Sequence, residues 1–281
     1  MRLDACKALQ LKELCVSLGV NSSGTKPILT KAIDAAFCGP HIQDGAKILS
    51  LDMGIRNLGM CTLEYASGSA PRLNAWKVLQ VSAPVEKVTG ALGVKETFEP
   101  VDYAKKAYAL VSAALKTDPP DIVLIERQRY RTMGAAAVQE WTVRVNMFEN
   151  MLHAIFRTYK ELGLWKGQIN SVNPSRMVQY WQSQWKTEGQ GRVPEKESKL
   201  ARMKFVESML VNDSRVKVLP SAKEAVASFR KRSPSGQGKK KSDDLADCLL
   251  HGLAFVDWNH NRISMAAQFE QERLLAAEAK A

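Results

Sequence analysis

Three acidic residues open the last long apolar segment of this sequence, in "KKKSDDLADCLLHG" at 239–252. Ser242 is a good helix N-cap, and acids in a first helical turn complement the helix dipole, which accounts for Asp243 and Asp244. Asp247 lies one turn further in, on the same face as Asp243 and beside Asp244. Like charges on one face repel each other, so such a helix either leaves them in water or binds a cation there.

Two further carboxylates occur within predicted apolar strands. Asp52 lies mid-strand in "ILSLDMGIRNLG", where burial of an unpaired carboxylate is costly. Glu126 ends the apolar run "IVLIE", and the alternative for it is a strand end that emerges into water. Gly54 and Gly59 follow Asp52 and would let a backbone or a phosphate come close.

These acids need a scaffold, and the apolar patterns predict one. Strands are predicted at 47–54, 57–66, 74–83, 119–128 and 167–173, and a short strand is predicted at 215–220. Helices are predicted at 4–18, 26–37, 101–116, 134–161 and 194–211, and from residues 221 and 242 onward. The first three strands form an antiparallel meander, and the whole order predicts an α/β fold with a mixed sheet and helices on both sides.

Composition restricts the class of protein. The chain of 281 residues is 45% hydrophobic, enough for one sizeable core. Forty Lys and Arg against 29 Asp and Glu give a net charge of +11, which indicates a polyanionic partner, nucleic acid ahead of a membrane; the alternative is a merely soluble basic protein.

Five cysteines without a CxxC pair predict reduced thiols rather than disulfides or a zinc site. No apolar stretch reaches the roughly 20 residues of a membrane span. Because "MRLDACKALQ" contains no secretory signal, we expect an organelle-targeting peptide to be absent, removed or outside the sequence given.

Three motifs, in this order, carry a resemblance to a known family. "LSLDMGIRNLG", "LIERQRYRT" and "KKSDDLADCLLHG" resemble the fungal mitochondrial Holliday junction resolvases, relatives of bacterial RuvC in the RNase H-like superfamily. The resemblance covers residues 47–258. It implies a mixed five-stranded RNase H-like sheet flanked by helices, a mitochondrial location and phosphodiester hydrolysis.

The resemblance also implies a set of catalytic carboxylates. Asp52, Glu126, Asp247 and either Asp243 or Asp244 would hold two Mg²⁺ ions, for which Mn²⁺ is expected to substitute. The bacterial spacing favours Asp244, whereas the fungal spacing and the shared face with Asp247 favour Asp243. Two such cations, about 3.5 to 4 Å apart, activate a water and stabilise the leaving oxygen.

The amino-terminal stretch "LKELCVSLGVNSSGTKPILTKAI" resembles a SAP motif, a two-helix DNA-binding module; a plain helical hairpin is the alternative. The predicted organisation is a SAP-like module at 1–37, a linker at 38–46, the nuclease domain at 47–258 and a C-terminal helical tail at 259–281.

Basic residues near the acids and on the amino-terminal module are candidates for phosphate contacts. They are Lys26, Arg127, Arg129, Arg131, Lys239, Lys240 and Lys241. For the lysine run, a solvated charge run is the alternative. His251 lies one turn past Asp247 and could approach the site, the other interpretation being a histidine packed in the core or bonded to solvent.

The function that follows is a structure-selective, metal-dependent endonuclease that resolves four-way DNA (Holliday) junctions by paired symmetric nicks in mitochondrial DNA recombination. We expect it to act as a homodimer and to have no membrane partner. The candidate dimer face is the 134–161 helix, with Trp141, Met147, Phe148 and Met151; ordinary core packing is the alternative. The competing functions are another RNase H-like nuclease, acting on RNA–DNA hybrids or general DNA, and a non-catalytic nucleic-acid-binding protein.

Overall fold

The computed structural model describes residues 3–81, 99–128, 139–187, 198–212, 215–232 and 243–278. It divides into two compact units. A helical unit comprises Met1–Asp44, Asn173–Glu197 and Leu253–Ala281, and a sheet unit comprises Gly45–Val172 and Ser198–Gly252. Within the described ranges, none of the helices has the length and apolarity to cross a membrane.

The sheet unit is built on one mixed sheet, to which the described residues contribute six strands in the order β5-β4-β1-β2-β3-β6. The strands are β1 (Lys47–Asp52), β2 (Leu58–Glu64), β3 (Arg72–Leu79), β4 (Ile122–Glu126), β5 (Gln168–Val172) and β6 (Lys217–Val218). The meander β1-β2-β3 is antiparallel, while β4 pairs parallel with β1, β5 with β4, and β6 with β3. The predicted α/β class and mixed sheet are confirmed. The strand beyond the expected five is β6, which comprises two residues of the short strand predicted at 215–220.

Eight α-helices occur in the described residues. They are α1 (Ala8–Ser17), α2 (Lys26–Phe37), α3 (Pro100–Thr117), α4 (Glu140–Glu161), α5 (Pro174–Thr187), α6 (Ser198–Asn212), α7 (Lys223–Arg232) and α8 (Asp243–Glu278). Short 3₁₀ turns lie at Leu3–Ala5 and Pro220–Ala222. The predicted helical residues 134–138, 194–197 and 242 lie outside the described ranges.

Helix α5 was not predicted, although its start carries a recognisable signal. Pro174 is its first residue, and the Asn173 Oδ1 accepts a hydrogen bond from the Ser175 N–H at 3.0 Å. An Asn before a Pro is a common way to begin a helix, because Pro has no N–H to leave unsatisfied.

Alternate residues of β1 face different helices. Leu49 and Leu51 lie in the core that α3 and α4 cover, together with Phe148 of α4. On the opposite face the Ser50 hydroxyl donates to the Cys248 carbonyl of α8 at 2.8 Å. Asp52 shares that second face by the two-residue period of a strand. The sheet therefore directs Asp52 toward the beginning of α8.

The sequence left open whether the apolar residues of α4 form a dimer face or pack in the core, and Phe148 is one of these residues. It is fully buried, and Met151 packs against the same core. Trp141 at the start of the helix is instead exposed, with the Arg56 guanidinium 5.2 Å from its ring centroid. Ordinary core packing therefore explains Phe148, and the dimer face stays a prediction.

The helical unit has its own small core. Its buried members are Cys6, Leu11, Cys15, Leu18, Leu29, Ile33 and Ala36, with Met265 of α8 packed against them. Gly19 ends the first helix at φ +67, and a Cβ there would lie 2.2 Å from the Trp258 ring. The two predicted amino-terminal helices are present as α1 and α2, while the SAP assignment and the domain boundaries stay predictions.

Candidate active site

Asp52 is the last residue of β1, and only 8% of it is exposed. It lies opposite Gly59 of β2. A Cβ on Gly59 would lie 2.2 Å from the backbone oxygen of Asp244 and 3.3 Å from the Cβ of Asp52. The sequence prediction that Gly59 admits a close backbone is therefore confirmed, and that backbone is the first turn of α8.

Glu126 is the last residue of β4, the strand parallel to β1. Its Oε2 accepts hydrogen bonds from the Met53 N–H at 3.2 Å and from the Gln128 side-chain amide at 3.3 Å. The side chain is half-buried and directed toward β1, so the alternative of a strand end that simply emerges into water does not hold.

His251 joins these two carboxylates. One potential ligand atom from each of Asp52, Glu126 and His251 lies within 4.8 Å of the others. His251 is 2% exposed and lies on α8 one turn past Asp247. Of the four predicted metal ligands, this cluster contains Asp52 and Glu126.

Negative charge is concentrated here. Burial, and then the hydrogen bond and charge of Glu126, raise the pKa of Asp52 well above its ordinary value, and Asp247 and Asp244 raise it further. Burial lowers the pKa of His251, although Glu126 and Asp247 oppose this effect. Both shifts favour the uncharged form of each group, and the neutral imidazole is the form that binds metals.

Asp247 is held by Arg202 of α6. The Arg202 Nε lies 2.6 Å from the Asp247 Oδ1, and its second guanidinium nitrogen lies 3.0 Å from Oδ2. Burial alone would lower the pKa of Arg202, but the hydrogen bonds and charge of Asp247 raise it overall. Both oxygens of a predicted metal ligand are thus oriented by one planar cation.

The choice between Asp243 and Asp244 stays open. Asp243 accepts a charge-assisted hydrogen bond from Lys199 of α6 at 2.7 Å, which raises the pKa of that lysine. Asp244 has its backbone against Gly59, and its charge contributes to the raised pKa of Asp52. Neither observation decides which of the two is the fourth ligand.

Sequence reasoning missed Arg202, Lys199 and a further acid, Glu149. Glu149 of α4 is buried, and its Oε2 accepts a hydrogen bond from the Gln128 N–H at 2.9 Å. Burial raises the pKa of Glu149, and the charge of Glu126 adds to the effect. Gln128 is thus bonded to both Glu149 and Glu126, which fixes the chain where it leaves β4.

Only two of the predicted phosphate-binding residues can be located. Lys26 is exposed at the first position of α2. Arg127 is exposed directly after β4, and its Nε donates to the Ser171 hydroxyl at 3.1 Å. The remaining candidates, which are Arg129, Arg131, Lys239, Lys240 and Lys241, lie outside the described residues.

The residues present fit a divalent cation. Two carboxylates converge from adjacent strand ends, and further acids of α8 add negative charge that raises the pKa of Asp52. A bound cation would relieve this repulsion and favour the ionised carboxylates, which is the ordinary coupling between metal binding and pKa.

Comparison with known proteins gives a family and named relatives. A family model described as "Mitochondrial resolvase Ydc2 / RNA splicing MRS1" matches residues 48–265. The mitochondrial cruciform cutting endonuclease 1 of Schizosaccharomyces pombe is 27% identical over 253 residues, covering 88% of this chain and 90% of that protein. Its counterpart from Saccharomyces cerevisiae is 23% identical, covering 98% of this chain and 90% of that protein.

A solved structure agrees with these sequence relatives. The crystal structure of the yeast mitochondrial Holliday junction resolvase Ydc2 matches this chain with a TM-score of 0.66 and 27% sequence identity. The match covers 94% of this chain and 99% of the chain in that structure. The family model includes Asp52, Glu126 and the acids that open α8. The chain therefore belongs to the mitochondrial resolvase Ydc2 / RNA splicing MRS1 family.

Proposed function

We propose that this protein is a structure-selective endonuclease that resolves four-way DNA junctions by metal-dependent phosphodiester hydrolysis. The observation that carries the proposal is the convergence of Asp52 and Glu126 from adjacent strands, beside the acidic start of α8. The relatives are named cruciform cutting endonuclease and Holliday junction resolvase. The protein is accordingly a DNA-hydrolysing enzyme of the mitochondrion, with junction DNA as its substrate.

Each site residue has a distinct task. Asp52 and Glu126 would hold the cation, the Met53 N–H orients the Glu126 carboxylate, and Arg202 orients Asp247. Bound Mg²⁺, two ions per site with Mn²⁺ able to substitute, supplies activation of the attacking water and charge stabilisation of the leaving oxygen. Gly59 sets how closely α8 approaches β1 and so the spacing between Asp52 and the acids of the helix.

The family description also contains an RNA splicing protein, so a non-catalytic role in nucleic-acid binding is the competing function. The acids argue against it. Asp52 is buried at a site where burial and neighbouring charge raise its pKa, an arrangement that costs folding free energy unless a cation is bound. A pure binding protein would gain nothing from that arrangement.

The assembly we infer is a homodimer. One site hydrolyses one phosphodiester at a time, whereas resolving a junction needs two symmetric cuts, which a two-fold pair of sites supplies. Arg127, exposed directly after Glu126, is in position to contact a phosphate beside the metal site, and Lys26 is an exposed contact on the helical unit. Arg129, Arg131 and Lys239, Lys240 and Lys241 extend this proposal along the sequence.

The experiment compares Mg²⁺-dependent cleavage of a four-way junction, an RNA–DNA hybrid and a linear duplex of matched sequence. We expect the junction to be cut at two symmetric positions and the other substrates to be cut at least about tenfold more slowly. Preferential cutting of the hybrid would show a ribonuclease H-type activity instead. Tight binding without any cutting in Mg²⁺ or Mn²⁺ would favour the non-catalytic function.

A further inference from the structure

His251 lies in a position that a packing role does not explain. His251 is almost completely buried on α8. One of its ring nitrogens, one carboxylate oxygen of Asp52 and one of Glu126 all lie within 4.8 Å of one another. Its Nδ1 is buried and has no hydrogen-bond partner among the described residues. Buried polar atoms in native structures nearly always have a partner, so this nitrogen indicates that a further group belongs there.

The residues that flank His251 on α8 are apolar, so packing alone does not account for a histidine at this position. Leu249, Leu250 and Leu253 around His251 are buried and apolar. A leucine or phenylalanine would fill such a position without the energetic cost of leaving a buried nitrogen unsatisfied. Asp247 lies four residues earlier on α8, so one helix face presents an acid and an imidazole in succession toward the same site.

We propose that His251 is a ligand of the cation held by Asp52 and Glu126. The inference depends on the proposed function for the presence of a metal, and it goes further by adding an imidazole to a ligand set expected to be all carboxylate. It also explains three features together: the buried nitrogen without a partner, the burial of Asp52, and the convergence of both on Glu126.

An imidazole ligand has a consequence for metal choice. Mg²⁺ takes oxygen ligands and keeps several waters, whereas imidazole suits transition metals and binds them more strongly from Mn²⁺ onward in the divalent series. The position shared by Asp52, Glu126 and His251 should therefore favour Mn²⁺ over Mg²⁺. A site made of carboxylates alone would discriminate much less.

The test is pulsed electron paramagnetic resonance of Mn²⁺ bound to the full-length protein without DNA, prepared with natural and with ¹⁵N-labelled histidine. We expect nitrogen modulation from one imidazole, which changes with the isotope and disappears in His251→Asn. The exposed His41 provides the matched control, because His41→Asn should retain the modulation.

Binding affinities give a second measurement. By calorimetry, His251→Asn should weaken Mn²⁺ binding by about tenfold or more, within the range seen when a metal site loses one supporting group. Mg²⁺ binding should weaken by less than about threefold. Where His251→Asn fails to fold, the assignment follows by elimination, since the chain has four histidines and single variants of His41, His153 and His260 should each keep the signal.

The outcomes separate this inference from the proposed function. Junction cleavage with Mn²⁺ bound but no histidine modulation overturns the ligand role of His251 and leaves the endonuclease intact. Histidine modulation without junction cleavage supports the ligand role and contradicts the endonuclease. Modulation that persists in His251→Asn, or equal weakening of Mn²⁺ and Mg²⁺ binding in that variant, also overturns the inference.

Discussion

Asp52 and Glu126 are the residues whose chemistry the fold most evidently serves. Asp52→Asn and Glu126→Gln keep the size of each side chain but remove a charge to which the proposed function assigns cation binding. We expect each to slow junction cleavage at least about a thousandfold, which corresponds to about 4 kcal/mol of lost transition-state stabilisation. Junction binding in Ca²⁺ should change less than about threefold. Gel-based cleavage and binding assays measure both quantities.

Asp102→Asn is the matched control for these variants. Asp102 is an exposed acid of α3, and its substitution should leave cleavage unchanged. Near-normal nicking by Asp52→Asn would remove that residue from the active site.

Asp243 and Asp244 can be separated by parallel substitution. Asp243→Asn removes the charge partner of Lys199, whereas Asp244→Asn removes a charge that contributes to the raised pKa of Asp52. The metal ligand should lose at least about a hundredfold in cleavage rate at saturating Mg²⁺, and its neighbour less than about tenfold. Equal small losses in both variants would show that neither is a ligand.

Arg202 neutralises the carboxylate of Asp247, which the other acids of the site would otherwise repel. Arg202→Gln should lower the free energy of unfolding by about 3 kcal/mol in EDTA, the usual cost of breaking a buried ion pair. The difference from wild type should narrow when Mn²⁺ is added, because an Asp247 without Arg202 attracts the cation more strongly and tighter binding stabilises the folded variant more. Urea denaturation with and without Mn²⁺ measures this.

Lys199→Gln is the comparison, since the Lys199 side chain is 69% exposed and its pair with Asp243 should contribute less than about 1 kcal/mol. An Arg202→Gln variant as stable as Lys199→Gln in EDTA would contradict the role given to Arg202.

At the scale of elements, the contact between β2 and the first turn of α8 sets the site. Gly59→Ala would place a methyl group 2.2 Å from the Asp244 backbone oxygen, and backbone cannot move aside as a flexible side chain can. We expect a loss of about 1 to 3 kcal/mol in stability and a strong loss of cleavage, because the acids of α8 move away from Asp52. Thermal unfolding and cleavage rates check the two effects.

Gly252→Ala is the control on the same helix. A Cβ there meets the movable end of the Leu63 side chain at 2.7 Å, so cleavage should stay within a few-fold of wild type. Equal losses of cleavage in both variants would show that general packing, and not the approach at Gly59, limits activity.

Local patterns predicted most elements because strands and long amphipathic helices carry their own periodicity. The meander, β4 and α8 were predicted on that basis. Helix α5 was missed although its buried residues recur at helical spacing: Met177, Tyr180, Trp181 and Trp185. The Gln and Ser residues between them complete an amphipathic helical pattern, so this periodicity and the Asn173–Pro174 start both indicate the helix.

Site residues also divide into those that a local sequence pattern indicates and those that only the fold brings together. Asp52 and Glu126 are conspicuous in sequence because an acid in an apolar strand is costly. Arg202 lies 45 residues before Asp247, and Lys199 lies 44 residues before Asp243. No local sequence pattern specifies pairs so far apart. His251 was noticed through its spacing from Asp247, but only the packing of α8 on the sheet brings it to Asp52 and Glu126.

For the whole molecule, selectivity for junctions has to come from shape, since a net charge of +11 attracts any DNA. Binding to a linear duplex relies on phosphate contacts and should fall steeply as salt rises through counterion release. Junction binding should fall less, because the proposed two-fold dimer would fit the geometry of the crossing arms as well as their charge.

The most direct measurement is a competition between a four-way junction and a linear duplex of the same sequence, in Ca²⁺ and across salt concentrations, with the mass of the complex from light scattering. We predict that the preference for the junction grows as salt rises and that the bound species is a dimer, which makes two opposing nicks when Mg²⁺ replaces Ca²⁺. Equal affinity for both DNAs at every salt concentration, or a monomer on the junction, would contradict junction resolution by paired sites.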